Sequence, residues 1–262
     1  MATVYHGVCR LAIVPVRNDP RHTGEQVTQL LFGDHYEVME LSADKQWAKI
    51  RIFADGTDGW IDFRQHHNIS EEYFQQINKT DYKITTEVAS PVLYKKLPLT
   101  IVMGSIVPIS SSELFKIEEQ FAFNGEAKSL GQRRDADFVR LMARKYLGAP
   151  FQWGGKSPFG IDHTGLVQMV FRIAGHPLPR RLKELMVQGK KVESYAESRP
   201  GDIAFFSVKG STPVHCGILD GEDRIIHAHG QVKIDGLNEE GILVQETKIY
   251  THFLHSIRRI IA

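Results

Sequence analysis

The chain of 262 residues is long enough for two domains or for three small ones. A hydrophobic fraction of 42% and a charged fraction of 24% are typical of a globular protein with a buried core, which excludes a disordered or collagen-like chain. The 32 Lys and Arg residues nearly balance the 31 Asp and Glu residues and leave a net charge of +1. We therefore expect neither nucleic acid nor a membrane among its partners.

The cysteines and the N-terminus bear on the cellular compartment. Cys9 and Cys216 lie far apart and belong to no CxxC or zinc-finger spacing, so we expect no disulfide framework and no structural zinc. The first residues lack the basic and apolar regions of a signal peptide, and no stretch of the sequence approaches about 18 apolar residues. These features predict a cytoplasmic protein.

Residues 1 to about 128 are predicted to be rich in β-structure. Five short runs have the length and composition of strands, with Gly33-Asp34 and Asp55-Gly56 as turns. The runs are Leu11–Val16, Gln29–Phe32, Tyr36–Leu41, Trp47–Phe53 and Gly59–Phe63. A turn glycine, a strand tryptophan (Trp47) and a late Gly-Trp pair (Gly59-Trp60) follow one another in the order of the bacterial SH3-like domain, which residues 1–70 resemble.

A second β-rich set follows a polar stretch, Ser70–Asn78, that is predicted to be helical. Its strands are predicted at Glu87–Tyr94, Thr100–Val102, Ile106–Ile109 and Leu114–Ile117. The segment Leu97–Ser105 looks like a strand entering a Gly-Ser turn, so we interpret residues 80–128 as a second, divergent SH3-like barrel. A β-rich linker subdomain is the alternative.

The hydrophobic period changes after Asp135. Apolar residues at helical spacing predict a helix that Gly148-Ala149-Pro150 ends, and Leu166–Ala174 predicts a buried helix. Four strands are predicted beyond Pro200-Gly201, at Asp202–Val208, Val214–Leu219, Arg224–His229 and Leu243–Thr247. Helices followed by an antiparallel sheet make residues 132–262 an α+β domain.

Six motifs of this domain occur in a fixed order. They are Gly148–Gly155, Gly160–Gln168, Leu178–Arg180, Pro200–Phe206, His215–Ile218 and Ile226–Ala228. Their order and spacing resemble the NlpC/P60 family of papain-like cysteine peptidases of bacterial cell-wall peptides, in the type that cleaves γ-D-glutamyl-L-diamino acid peptides (dipeptidyl-peptidase VI). The resemblance implies a cysteine nucleophile at the N-terminus of the buried helix, where helix N–H groups and an imidazolium stabilise its thiolate. It also implies His215 as the base and His227 as the residue that orients the base.

The nucleophile position falls on His163, which departs from the family pattern. Loss of a nucleophile from a comparable hydrolase lowers the rate by roughly 10⁶-fold, and we expect this imidazole to collide with the base or displace it. We therefore predict a pseudoenzyme whose cleft binds a murein-derived short peptide or a protein partner. Further departures at Thr164 and Arg181 favour natural divergence. The alternative is an active γ-D-glutamyl peptide hydrolase of murein recycling, with a rescued nucleophile or a substitution made in the laboratory.

A second alternative is a metal-dependent enzyme. His163, His215 and His227 supply three imidazoles, the ligand set of a catalytic zinc. Because the middle histidine of the family arrangement bridges the other two, we favour a hydrogen-bonded cluster and expect no metal or cofactor. Strand alternation predicts that Cys216 points into the core as an inert thiol, and His252 is expected to be exposed or capping.

The resemblance also implies residues that bind the peptide. Asp162 and the first barrel are expected to hold the free amine of an N-terminal L-Ala, since a buried ammonium needs a carboxylate partner. The candidates for peptide binding are Asp162, Thr164, Phe151, Trp153, Glu25, Thr57 and Asp58. Thr57 and Phe151 stand where family members often have Tyr, which predicts that ligand recognition has also changed.

Overall fold

The structure is a computed structural model that describes residues 5–79, 81–110, 115–116, 121–208, 212–221, 223–244 and 247–262. The chain divides into two compact units, residues 1–132 with 153–157 and residues 133–152 with 158–262. Two residues of the strand predicted at Leu114–Ile117, Leu114 and Ile117 themselves, lie outside the described residues. Among the described residues, no helix has the length and apolar character needed to cross a membrane.

The first unit begins with a sheet of seven strands. They are β1 (Tyr5–Val8), β2 (Ile13–Arg17), β3 (Gln26–Leu31), β4 (His35–Leu41), β5 (Trp47–Ile52), β6 (Asp58–Asp62) and β7 (Asn68–Ile69), in the spatial order β3-β2-β6-β5-β4-β1-β7. Alternate residues such as Val14, Val16, Ile50 and Ile52 point into one apolar core, as period-two patterning requires. The helix α1 (Glu71–Lys79) follows. The five strands predicted here are confirmed, whereas β1 and β7 were not predicted.

The predicted turn at Gly33 has a specific backbone requirement. Gly33 has a φ of +86°, and a Cβ at this position would meet the carbonyl of Ile106. The carboxylate of Asp34 accepts a hydrogen bond from the N–H of Leu31 at 2.9 Å and closes the turn. Only glycine satisfies both the positive φ and the close approach.

Two smaller sheets complete the first unit. Their strands are β8 (Tyr82–Thr85), β9 (Ala89–Tyr94), β10 (Leu97–Val102), β11 (Ile106–Ser110), β12 (Phe115–Lys116), β13 (Phe121–Phe123) and β14 (Ala127–Ser129). The sheets have the orders β10-β9-β13-β12 and β11-β8-β14. Phe32, which directly follows β3, stacks on Phe121 with ring centroids 5.8 Å apart. Phe32 belongs to the same hydrophobic core as residues of both smaller sheets. The assignment of residues 80–128 to a second SH3-like barrel stays a prediction.

The segment 153–157 contains β15 (Lys156–Ser157) and packs along β3. The Gln26 side chain donates to the carbonyl of Trp153 at 3.1 Å, and the N–H of Lys156 donates to the side chain of Gln29 at 2.8 Å. Gly154 has a φ of +73°, and a Cβ there would meet the carbonyl of Gln26. Sequence reasoning placed this segment inside the domain 132–262, but it groups with the first unit.

The second unit places its helices before a sheet of seven strands. The helices are α2 (Ala136–Arg144), α3 (His163–Ile173) and α4 (Leu182–Leu185), and the two-residue strand β16 (Gly160–Ile161) precedes α3. The strands of the sheet are β17 (Lys190–Val192), β18 (Ile203–Ser207), β19 (His215–Gly221), β20 (Arg224–His229), β21 (Gln231–Leu237), β22 (Gly241–Val244) and β23 (Ile249–Arg259). The sheet order is β17-β23-β18-β19-β20-β21-β22, and β22 also pairs with β23. This agrees with the predicted α+β order. The strands β21 and β23 were missed because charged and polar residues interrupt their apolar pattern.

The helix α3 is the buried centre of the second unit. Every residue from His163 to Ile173 is buried, and the helix packs against β19 and β20. Asp162 caps its N-terminus, since the carboxylate accepts a hydrogen bond from the N–H of Gly165 at 2.6 Å. This cap fixes the start of the helix, so its first residue, His163, lies against β19.

Candidate active site

The N-terminus of α3 carries a buried ion pair. Asp162 accepts a hydrogen bond from Nη2 of Arg180 at 2.6 Å, and both side chains are 5% exposed. The hydroxyl of Thr164 donates to Asp162 at 3.0 Å and accepts from Arg180. Burial by itself would raise the pKa of Asp162, but Arg180 and the helix N–H hold that pKa below its usual value.

Asp162 and Thr164 form their hydrogen bonds within this ion-paired group. Sequence reasoning assigned Asp162 to a peptide amine, yet its two oxygens bind Arg180 and cap the helix. Both Asp162 and Thr164 are buried. The carboxylate of Asp162 therefore stabilises the helix start, and its predicted role in binding a peptide amine stays a prediction.

Three adjacent strands align a chain of hydrogen bonds behind the helix. Nε2 of His215, on β19, lies 2.9 Å from Nδ1 of His227, on β20. Nε2 of His227 lies 3.0 Å from Oδ2 of Asp235, on β21. Gly217 is the cross-strand neighbour of His227, and a Cβ there would lie 2.9 Å from the Cβ of His227. The glycine thus leaves room for the middle imidazole.

Burial governs the protonation of these hydrogen-bonded side chains. Burial lowers the pKa of His227, although Asp235 opposes this shift. Burial and the neighbouring histidines lower the pKa of His215 well below its usual value. The hydrogen bonds from His227 and Lys233 outweigh the effect of burial on Asp235 and lower its pKa to about 2. At neutral pH the arrangement is therefore a carboxylate followed by two neutral imidazoles.

His163 lies beside the predicted base without colliding with it. The ring centroids of His163 and His215 are 4.9 Å apart and the ring planes are inclined at 54°. The Sγ atom of Cys216 lies 3.5 Å from both Nδ1 and the carbonyl oxygen of His163. The expected collision was wrong, because the imidazole of His163 turns one nitrogen toward Cys216.

The environment of this pair disfavours nucleophilic chemistry by Cys216. The cysteine is fully buried, as predicted, and burial raises the pKa of its thiol well above the usual value. Burial also lowers the pKa of His163 to about 4. A neutral imidazole beside a protonated, inaccessible thiol does not generate a thiolate nucleophile.

Two further histidines, His229 and His252, form a cluster with His163, His215 and His227. Sequence reasoning missed both of them. His252, on β23, stacks on His215 with ring centroids 4.5 Å apart and an interplanar angle of 26°. His229, at the end of β20, lies 5.2 Å from His252 by ring centroids. The expectation that His252 is exposed or capping was wrong, since it is 8% exposed. No local pattern identifies His252, because strand pairing alone brings β23 beside the other histidines.

The described residues contain no group of three His, Cys, Asp or Glu side chains arranged to hold a metal ion. The geometry of the histidines explains this result. Nε2 of His215 and Nδ1 of His227 face each other, and the rings of His215 and His252 are stacked. Their nitrogens therefore do not converge on one point, as metal coordination requires.

The remaining predicted binding residues have varied surroundings. In the second unit, the Phe151 side chain is partly exposed. In the first unit, the indole N–H of Trp153 donates to Oε1 of Glu25 at 2.6 Å. Thr57 is buried, and Asp58 forms two hydrogen bonds with Arg51 at 2.7 and 2.8 Å. The structure thus brings Glu25 and Trp153 together, while the carboxylate of Asp58 is already ion-paired.

An open groove of about 390 Å³ lies next to the histidine cluster in the second unit. Its lining residues are Gly148, Pro150, His229, Gly230, Gln231 and Lys233. His229 belongs both to the groove and to the cluster. The second unit therefore combines an open groove with a buried relay, the hydrogen-bonded residues His215, His227 and Asp235.

Comparisons with known proteins agree with the resemblance drawn from the motifs. A model of the NlpC/P60 family matches residues 148–251, and a model of the bacterial dipeptidyl-peptidase SH3 domain matches residues 16–64. The gamma-D-glutamyl-L-lysine dipeptidyl-peptidase of Bacillus subtilis (strain 168) is 24% identical over 88% of this chain and 80% of its own length. Dipeptidyl-peptidase 6 of Lysinibacillus sphaericus is 24% identical over 87% of this chain and 90% of its own length.

A solved structure has the same fold along nearly the whole chain. An NlpC/P60 family protein from Bacillus cereus ATCC 10987 superposes with a TM-score of 0.83 and covers 98% of this chain and 100% of its own. The two sequences are 16% identical. At this identity the likeness shows the fold alone.

Proposed function

We propose that this chain, which carries an NlpC/P60 domain and a bacterial dipeptidyl-peptidase SH3 domain, binds short peptides of the L-Ala-γ-D-Glu-diamino acid type without hydrolysing them. The observation that carries the proposal is the position of His163. It begins the buried helix α3 and lies beside His215, where the resemblance puts the nucleophilic cysteine. The base and its orienting partner His227 remain hydrogen-bonded.

The imidazole of His163 is a poor replacement for a thiolate. Its Nδ1 faces the buried thiol of Cys216 at 3.5 Å, and burial lowers its pKa to about 4. Nucleophilicity falls as basicity falls, so this neutral ring attacks an amide slowly. Removal of the nucleophile from a comparable hydrolase costs roughly 10⁶-fold in rate, and we expect a loss of that order here.

The relatives support the ligand class. Two curated relatives that align with most of this chain are named dipeptidyl-peptidases, one of them for γ-D-glutamyl-L-lysine. The fold shared with a solved NlpC/P60 family protein and the open groove beside His229 are consistent with this ligand class. The roles predicted for Glu25, Trp153 and Phe151 in binding the peptide stay predictions of this proposal.

The alternative of an active hydrolase requires another nucleophile. Cys216 is the one cysteine in the sequence of the second unit, but it is fully buried and its thiol pKa is raised. The alternative of a metal-dependent enzyme requires convergent ligands, which the stacked and mutually bonded histidines do not supply. Both alternatives therefore need a rearrangement of the cluster.

The experiment compares the unmodified protein with His163→Cys and His163→Ala. Each is incubated with L-Ala-γ-D-Glu-diaminopimelate, cleavage is followed by mass spectrometry, and binding is measured by calorimetry. We expect all three to bind the peptide and only His163→Cys to cleave it. His163→Ala is the matched control, because it removes the imidazole without supplying a thiol.

Two results would overturn the proposal. Cleavage by the unmodified protein would contradict the loss of hydrolysis, and repetition of the assay with a chelator would then separate a metal-dependent route from a metal-free one. Absence of binding by all three proteins would contradict the ligand class.

A further inference from the structure

Asp235 lies two strands away from the predicted base and is held by two hydrogen bonds. Its Oδ2 is 3.0 Å from Nε2 of His227 and 2.9 Å from Nζ of Lys233. Asp235 itself is 7% exposed. The family resemblance assigns no role to this carboxylate, and it does not touch His215 or His163 through any hydrogen bond that the described residues show.

The register of the sheet places these groups. Lys233 is the cross-strand neighbour of His227 between β20 and β21. Lys233 and Asp235 are two residues apart on β21, so they lie on the same face of the sheet. The cation, the carboxylate and the imidazole are therefore brought together by strand pairing and not by a flexible loop.

The hydrogen bonds that His227 makes with Asp235 and with His215 determine which ring nitrogens carry protons. An ionised carboxylate only accepts hydrogen bonds, so Nε2 of His227 carries the hydrogen that points at Asp235. In the neutral ring of His227, Nδ1 is then an acceptor. Nε2 of His215 must donate to that acceptor across 2.9 Å. The remaining nitrogen of His215, Nδ1, therefore has a lone pair.

We infer that Asp235 is a positioning residue that acts through His227 to hold His215 in the Nε2–H tautomer, with Nδ1 kept as the proton acceptor. The outer partner of an imidazole commonly selects its tautomer in this way. Here the selection passes through two rings in series.

Lys233 keeps the outer end of this relay charged. Its ammonium lies 2.9 Å from Asp235 while its side chain is 28% exposed. A buried carboxylate that had only a neutral imidazole as partner would be costly, and the ammonium offsets that cost. Removal of Lys233 is therefore expected to weaken the tautomer selection less than removal of the Asp235 charge.

The test measures the tautomers of the full chain by long-range ¹⁵N–¹H correlation NMR at pH 7.5. The signals of His215 and His227 are assigned by single substitution. We expect both rings of the unmodified protein in the Nε2–H form, and we expect Asp235→Asn to shift at least one ring to the Nδ1–H form or to a mixture. Asp220→Asn is the matched control, since Asp220 is a fully buried carboxylate paired with Arg144, away from the relay. Unchanged tautomers in Asp235→Asn would overturn the inference.

A kinetic arm rests on the proposed function and uses the His163→Cys background. There Asp235→Asn should lower kcat by about 10- to 100-fold, as loss of an orienting partner does elsewhere, with KM changed less than about twofold. Asp220→Asn should leave kcat unchanged, and Asp235→Glu should restore part of it. An unchanged kcat in Asp235→Asn would contradict the positioning role. If His163→Cys binds the peptide without turnover, the proposed binding function stands, and the tautomer measurement by itself decides this inference.

Discussion

The thiol sulfur of Cys216 lies 3.5 Å from Nδ1 of His163, so a thiol on a strand faces an imidazole at a helix N-terminus. The family resemblance places the two groups the other way round, with the thiol on the helix and the imidazole on the strand. The exchange does not give an equivalent pair. The thiol of Cys216 is fully buried beneath the start of the helix, whereas His163 is 7% exposed.

Alkylation of the thiols tests this difference directly. Burial raises the pKa of Cys9 to about 12 and the pKa of Cys216 well above its usual value. We therefore expect iodoacetamide at pH 8 to leave both cysteines of the native protein unmodified, while the unfolded protein reacts at both. The His163→Cys variant should gain one alkylated residue, at position 163, by peptide mapping. Alkylation of Cys216 in the native, unmodified protein would contradict the prediction.

The stability of the protein should fall at mildly acidic pH because its histidines are buried in neutral form. The pKa of His163 is lowered by burial from 6.5 to about 4 in the folded state. Below pH 6.5 the unfolded chain binds a proton that the folded protein does not, so the free energy of unfolding decreases as the pH falls toward 4. His163 alone accounts for about 2 kcal/mol of this loss at pH 5.

The measurement is urea unfolding at pH 7.5 and pH 5.0. His163→Ala should reduce the difference between the two pH values by about 2 kcal/mol, whatever its effect on absolute stability. His255→Ala is the control, because His255 is exposed and lies on the same strand as His252. The carboxylates Asp162 and Asp235 have lowered pKa values and lose their stabilising effect only at lower pH. An equal difference in His163→Ala and the unmodified protein would contradict the prediction.

Arg180 should be essential to the start of α3. Arg180→Met removes the guanidinium from the buried carboxylate of Asp162, which lies 2.6 Å away. Loss of one partner of a buried ion pair costs about 3–5 kcal/mol. The double variant Asp162→Asn/Arg180→Met should regain most of that stability, since asparagine caps a helix about as well as aspartate. Chemical denaturation measures both, and a double variant as unstable as Arg180→Met would contradict this account.

Two glycines of the first unit should respond differently to alanine. Gly33 has a φ of +86° and a Cβ there meets the Ile106 carbonyl, whereas Gly56 has a φ of +68° with no atom within 4 Å. Gly56→Ala should cost about 1–2 kcal/mol for the left-handed backbone alone, and Gly33→Ala should cost more by the steric clash. All three tryptophans lie in the first unit, so their fluorescence during urea unfolding reports its stability. Equal costs would contradict the role given to the Ile106 contact.

The elements and the main motif positions could be predicted from the sequence. Strand runs such as Tyr36–Leu41 and the buried helix after Asp162 depend on short-range periodicity and on capping, which a single segment contains. The order of the motifs predicted the domain types, which the family models confirm, whereas the loss of the nucleophile at His163 stays a prediction. The domain boundaries and the binding roles of Glu25, Thr57 and Asp58 stay predictions.

The partners of each side chain were decided only by the tertiary structure. Asp162 binds Arg180, His252 stacks on His215, and Asp235 supports His227, although none of these pairs is adjacent in the sequence. The physical reason is that strand register and the packing of α3 on the sheet determine which polar groups come into contact. A buried polar group must form its hydrogen bond with the partner that this geometry places beside it. Residue type and spacing therefore predicted which histidine stands at the position where the resemblance puts the nucleophile, and packing determined what that histidine contacts.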